Sequence, residues 1–154
     1  MSNENIHATA LSLDHKGVLI RGPSGAGKSL LALLLIDAFA TRNREAMLVA
    51  DDRVDLKTTL DGIWLSAPQN LAGLIELRGR GIVRRPYRET VRLSLIVDLV
   101  PTLERMPEEH DFLTMLQNHK IPRCPVPQVG VVGIEHQRLL IEEALDAIAI
   151  AAGA

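Results

Sequence analysis

The stretch from Arg21 to Ile36, RGPSGAGKSLLALLLI, constrains the fold of this chain more than any other. An aliphatic run, GVLIRG, ends at Gly22, and a run that is apolar almost all round extends from Ser29 to Ala40. Between them Gly22, Pro23, Ser24, Gly25, Ala26, Gly27, Lys28 and Ser29 match the pattern G-x-x-x-x-G-K-[ST] in full. Glycines here let the backbone curl until successive N–H groups point inward at phosphate oxygens. The next helix offers free amides and the positive end of its dipole to the same anion. Lys28 is placed to reach the outer phosphates, and the Ser29 hydroxyl to bind Mg²⁺. The ligand expected is a nucleoside triphosphate, ATP, with Mg²⁺.

The flanking pattern fits one α/β domain over residues 1–154. Ala8 to Leu13 and the run ending at Gly22 read as two strands of a hairpin. Ser29 to Ala40 reads as a buried helix. The run AMLVADD reads as a fully buried strand of a parallel sheet, so that strand, loop, helix and return strand make one βαβ-like unit. A second hairpin is expected in RVDLKTTLDGIWLSAP. A short helix leading into a strand or loop is expected in NLAGLIELRG, and a short helix around Glu108 to Gln117. In VRLSLIVDLV the period places Val91, Leu93, Leu95, Val97 and Leu99 on one face of a strand. IPRCPVPQVG holds three of the eight prolines and excludes regular helix. Ile134 to Ala151 reads as a final amphipathic helix.

Composition narrows the function. Aromatic residues make up 3% of the chain, a poor stacking platform for single-stranded nucleic acid. A formal charge of −2 gives no electrostatic argument for nucleic acid or membrane binding. The lone cysteine, Cys124, excludes an internal disulfide and a multi-cysteine zinc site. With no signal peptide pattern at the start and no spanning run, a cytoplasmic location is expected.

Two further stretches bear on the chemistry. MLVADD ends in Asp51 and Asp52. A phosphate-loop site needs a carboxylate at a neighbouring strand end for the metal. A second acid suits a general base acting on an attacking hydroxyl. LIELRGRGIVRR places Glu76 before Arg78 and two glycines, and arginines near a transferring phosphoryl group stabilise its charge. Read alone, the same stretch is first of all a solvated basic loop. Arg84, Arg85 and Arg88 extend its charge toward an acidic or phosphate-bearing partner.

Taken together, GVLIRGPSGAGKS, LVADDRVDL and LIELRGRGI resemble the catalytic domain of the HPr kinase/phosphorylase family, over about residues 6 to 100. That family phosphorylates a serine of the phosphocarrier protein HPr. The resemblance implies a P-loop nucleotide-binding domain similar to the phosphoenolpyruvate carboxykinase core, with a mixed sheet and flanking helices. It implies ATP bound by Gly22 to Ser29, Mg²⁺ held by Ser29 and Glu76, and Asp52 as the base with Asp51 in support. Lys28 and Arg78 would face the phosphates. His7 stands where the family carries a histidine at the start of the domain, and a surface histidine is the other reading. Arg105 is the nearest match to a family arginine. A homo-oligomer, hexameric by resemblance, is implied.

The chain also departs from the family pattern. Leu30 replaces the usual Glu after the K-S pair, and a short form without the family's separate N-terminal domain is expected. The late loop, P-V-R-P-G-R-N in the family, is here Pro125 to Gly130 without arginine, so phosphorylase activity is expected to be weak or absent. Two rivals remain: a small-metabolite P-loop kinase, which lacks its arginine-rich lid here, and an ATP-sensing regulatory protein, which would not need paired acids.

Overall fold

The computed structural model describes residues 2–153. Its elements are β1 (Ser2–His7), β2 (Thr9–Leu13), β3 (Lys16–Arg21), α1 (Lys28–Ala40), β4 (Ala46–Ala50), β5 (Arg53–Thr59), β6 (Gly62–Ser66), β7 (Leu74–Leu77), β8 (Gly81–Arg84), β9 (Thr90–Val100), a 3-10 turn (Glu109–Phe112), β10 (Leu113–Leu116), β11 (His119–Pro127) and α2 (Ile134–Gly153). The main mixed sheet runs β1-β5-β6-β9-β3-β2-β4, with β11 added to β9 and β10 to β11; β7 and β8 form a separate hairpin.

The β2–β3 hairpin closes through Asp14 and His15, both in the left-handed region at φ 51° and 64°. That pair of angles suits the right-handed twist of the flanking strands. The expected β5–β6 hairpin forms, its turn at Leu60 and Asp61. α1 begins at Gly27 as N-cap and carries Leu31, Ala32, Leu35, Ile36 and Phe39 into the core. Among the described residues no helix is long and apolar enough to cross a membrane.

Several elements differ from the sequence expectation. Leu48, Val49 and Ala50 are buried as expected, while Ala46 and Met47 are half-buried, and the strand's bonded neighbour is β2, antiparallel. Since β2 is also antiparallel to β3, the return strand runs parallel to β3 with β2 interposed. Its outer edge is closed by Leu48 N to Pro86 O at 3.0 Å and Arg88 N to Leu48 O at 2.9 Å. Leu48 packs into the core on one face of the sheet and Val49 into the core on the other, which is why the run is apolar on successive residues. NLAGLIELRG forms turns and β7, without a helix. Gly73 sits there at φ 79°, and a Cβ on it would lie 2.9 Å from Tyr87 Cδ1. Around Glu108 to Gln117 only the single 3-10 turn forms before β10 pairs with β11.

The stripe on β9 is also divided. The pairing of β3 with β9 shifts register between Gly17 and Val18, opposite Leu93 and Leu95. A bulge reverses the alternation of side chains. Val91 and Leu93 consequently join one core, and Leu95, Val97 and Leu99 the other. The first core, on the sheet face against α1 and α2, gathers Val18, Ile20, Leu31, Phe39, Val97, Ile141 and Leu145. The second, on the opposite face, gathers Leu19, Val54, Leu56, Ile63, Leu65, Ile96 and Ile121 where β5 and β6 curl over it. β11 tolerates its prolines because its two neighbours take successive halves, β10 along residues 119–122 and β9 along 123–127.

Candidate functional site

The site lies where β3 hands the chain to α1. Pro23 O accepts from Ala26 N at 3.1 Å, tightening the loop. Gly25 and Gly27 hold φ of 84° and 95°, a region that L residues seldom occupy. At Gly27 space is limiting as well, since a Cβ would meet Val129 at 3.2 Å. Val129 belongs to the segment after β11, and its N–H donates to Ala26 O at 3.4 Å. The arginine-free late loop is thus seated on the phosphate loop itself. Leu30, where the family motif has Glu, is 44% exposed on the first turn of α1.

Lys28 is buried and folded back along the loop: Nζ donates to Gly22 O at 2.8 Å and Pro23 O at 3.0 Å. Burial draws its pKa below the ordinary lysine value; Asp52 and Asp51 oppose this, and the Arg78 charge adds to the lowering. These carbonyl bonds hold the ammonium against the Gly22–Pro23 limb of the loop.

The two acids after β4 have different surroundings. Asp51 takes three hydrogen bonds. Its Oδ1 accepts from Ser29 Oγ at 2.7 Å and Thr9 Oγ1 at 2.9 Å, and its Oδ2 from Glu76 N at 3.1 Å. Asp52, with its side chain 74% exposed, meets His7 Nε2 through Oδ1 at 3.0 Å. The turn that presents it is tight: Arg53 N donates to Asp51 O at 2.7 Å, and Asp52 takes φ 67°. Such a backbone is costly for a non-glycine residue. β1 brings His7 there by pairing it with Arg53.

Glu76 lies on β7 with its side chain exposed, and it is the backbone N–H of Glu76 that contacts Asp51. Ser29 and Asp51 together offer hard oxygen donors, the chemistry that Mg²⁺ takes. Arg78, Arg80 and Arg84 stand exposed on the β7–β8 hairpin. Two arginines of the same run are turned elsewhere. Arg85 Nη1 donates to Arg84 O at 2.8 Å. Arg88 Nη1 lies 3.1 Å from His15 Nδ1 and 3.6 Å from Glu45 Oε2. Arg105 is exposed in the stretch after β9.

Sequence reasoning missed two parts of this region. Thr9, wholly buried, carries no motif; only its place on β2 beside Ile20 brings it to Asp51. Arg21, Asp98 and Arg123 form a charged cluster on neighbouring strands. Arg21 Nε and Nη2 donate to Asp98 Oδ1 and Oδ2 at 2.7 and 2.8 Å, and Arg123 Nε to Oδ2 at 2.7 Å. Burial disfavours the Asp98 carboxylate, but the two guanidiniums outweigh it and hold its pKa below the usual range. Charged residues near strand ends give no sequence signal of such pairing.

The model of the HPr serine kinase C-terminal domain matches residues 1–150. The chain belongs to this family. It is similar to the HPr kinase/phosphorylase of Acidovorax sp., 40% identical over 155 residues that cover 91% of this chain and 45% of the relative. It is also similar to that of Bordetella pertussis, 44% identical over 103 residues covering 62% of this chain and 32% of the relative. The chain spans less than half the length of these curated relatives. The structure of the Hpr(Ser) kinase/phosphatase from Coxiella burnetii superposes with a TM-score of 0.76 at 28% identity, covering 97% of this chain and 93% of that one. The fold is the mixed α/β P-loop architecture expected.

Proposed function

We propose that this chain is a P-loop kinase domain that transfers the γ-phosphoryl group of ATP to a serine of HPr. One observation carries the reading: the two acids beside the loop are held in different states. Asp51 takes three donors, from Ser29, Thr9 and Glu76 N, and is fixed in place, so it is a metal-side and positioning group. Asp52 is exposed beside His7 and free to accept the proton of an incoming hydroxyl. A sensor of ATP would need only the first, and membership of the family favours the kinase over both rivals.

In this mechanism the amides from Gly25 to Ser29 and the Lys28 ammonium bind the phosphates. Ser29 and Asp51 would hold Mg²⁺, with Glu76 close by; the ion, when bound, offsets the charge of the β- and γ-phosphates. Asp52 accepts the serine proton, and His7 orients its carboxylate. Arg78 faces the phosphates from β7–β8, and that exposed hairpin offers charge to the acceptor protein. The late loop brings Val129 and no arginine to the loop, which supports weak or absent phosphorylase activity. The domain works as one unit over 1–154 and as a homo-oligomer.

The test is transfer of label from γ-labelled ATP to HPr. Label on serine is expected, with Asp52→Asn reducing the rate about a hundredfold to ten-thousandfold while ATP still binds. Label on a small molecule, or tight nucleotide binding without transfer, overturns the proposal in favour of one of the rivals.

A further inference from the structure

The end of β9 reaches the phosphate loop by three routes, one direct and two through neighbouring residues. Asp98 grips Arg21, the residue directly before the loop, through both carboxylate oxygens. Leu99 packs under Gly22, where a Cβ would come within 3.0 Å of Leu99 Cβ. Val100 O accepts from Gln128 N at 2.8 Å, and the next residue, Val129, bonds Ala26 O. β11 adds the third strand: Arg123 shares Asp98 and also donates from Nη1 to Asp111 O at 2.9 Å.

Arg21 matters because the two residues after it grip the loop lysine. Gly22 and Pro23 supply the two carbonyls that hold Lys28 Nζ. The position of the ammonium is therefore set by the placing of the Gly22–Pro23 limb, and that limb is set at its root by Arg21. The register makes this geometry possible: Arg21 lies opposite Asp98 in the parallel β3–β9 pair, and Asp98 opposite Pro125 in the β9–β11 pair. Side chains two residues apart share a face, so Arg123 leans to Asp98 on the same side as Arg21.

We infer that Asp98 is a positioning residue for nucleotide binding, acting through Arg21 and the Gly22–Pro23 carbonyls on Lys28. It touches no phosphate itself. Its contribution is preorganisation: without it, ATP must order the limb as it binds, and affinity falls. The inference rests on the reading of Gly22 to Ser29 as a nucleotide site.

The molecule supplies its own control. Glu142 on α2 is also a carboxylate between two arginines, accepting from Arg42 Nη2 at 2.9 Å and Arg138 Nη1 at 2.7 Å, away from the loop. Isothermal titration with ATP and with ADP, each with Mg²⁺, is run on the full chain and on Asp98→Asn, Arg21→Lys and Glu142→Gln, with a thermal unfolding midpoint for each. Asp98→Asn and Arg21→Lys are expected to weaken both nucleotides about tenfold, a loss on the scale of one charge-assisted hydrogen bond. Glu142→Gln is expected to lower the midpoint comparably and leave affinity unchanged. In steady-state assays the two loop-root variants raise KM for ATP more than they lower kcat, because ground-state binding is what they lose. If both fold and bind ATP as the parent does, or if Glu142→Gln weakens binding equally, Asp98 is a structural ion pair only. Should Asp98→Asn not fold, Arg21→Lys alone decides between these outcomes. A parent chain that binds no nucleotide refutes the site reading instead, a different result.

Discussion

The two ends of α1 carry similar chemistry to opposite purposes. At the start, Lys28 bonds two loop carbonyls and Ser29 bonds Asp51. At the finish, Thr41 N returns to Asp37 O, Arg42 bonds Glu142, and Arg44 pairs with Asp14. Arg42 and Arg44 lie over the Phe39 ring with guanidinium carbons 5.2 and 4.3 Å from its centre. The carboxyl end is saturated by partners within the chain, and nothing there has cause to exchange them. At the amino end the Lys28 ammonium, with three donors, and the Ser29 hydroxyl, with two acceptor sites, have capacity for a phosphate or a metal beside the bonds they already make. A polar network therefore marks a site when its groups keep capacity for a further partner, and density of hydrogen bonds alone does not distinguish the two.

The sharpest break of this comparison is Lys28→Met. It removes the cation from the amino end and leaves an apolar stem of similar length in a buried slot. Phosphoryl transfer is expected to fall about a hundredfold to a thousandfold, the range seen when one preorganised charge-stabilising donor is lost. The urea midpoint should change little, since burial had already disfavoured the charged form. A large loss of stability with transfer preserved would reverse the roles assigned to the two ends. Glu142→Gln is the counterpart at the carboxyl end. It takes from Arg42 and Arg138 the charge of their shared carboxylate at a largely solvated place and should lower the unfolding midpoint modestly. Specific activity at a temperature where the variant is folded should equal that of the parent.

Acid separates the ends less strongly. Burial works against ionisation of Glu142, and the hydrogen bonds and charges of Arg42 and Arg138 overcome it, so the folded-state pKa is depressed. A depressed carboxyl contributes stability that is fully present above its unfolded value, about 4.3, and that fades as pH falls through the lower folded value. Asp98 behaves in the same sense. The stability difference between the parent and Glu142→Gln should hold steady from pH 7 to about 5 and narrow below about 4. A gap that widens on acidification would mean the pairing has been misassigned.

How much of the molecule is legible in its sequence depends on the kind of signal each residue leaves. Gly22 to Ser29 is readable because phosphate binding demands particular backbone angles and a lysine at one spacing. The pair Asp51–Asp52 is readable as two acids at a strand end. What separates them, three donors on one and His7 beside the other, depends on β1 and β2 meeting the end of β4, and no local pattern encodes that meeting. Thr9 and Asp98 are illegible for the same reason. The helix expected in NLAGLIELRG fails where Asn70 and Gly73 take positive φ and residues 74–77 pair as β7, and the stripe on β9 splits because one bulge cannot be seen in a period of two.

The smallest effect is expected at the β7–β8 hairpin, where Arg80 and Arg84 stand exposed. Replacing both with alanine removes charge from a solvated surface, so stability should shift by less than about 0.5 kcal/mol. What such charges do is act at a distance on an incoming partner, and salt weakens that action. KM for HPr should rise a few-fold at low ionic strength, with the difference shrinking as salt is added, while KM for ATP and kcat stay level. This pattern would place the hairpin with the acceptor and leave Lys28 with the nucleotide. A fall in kcat that salt does not touch would instead draw these arginines into the amino-end network and move the boundary of the site outward by one hairpin.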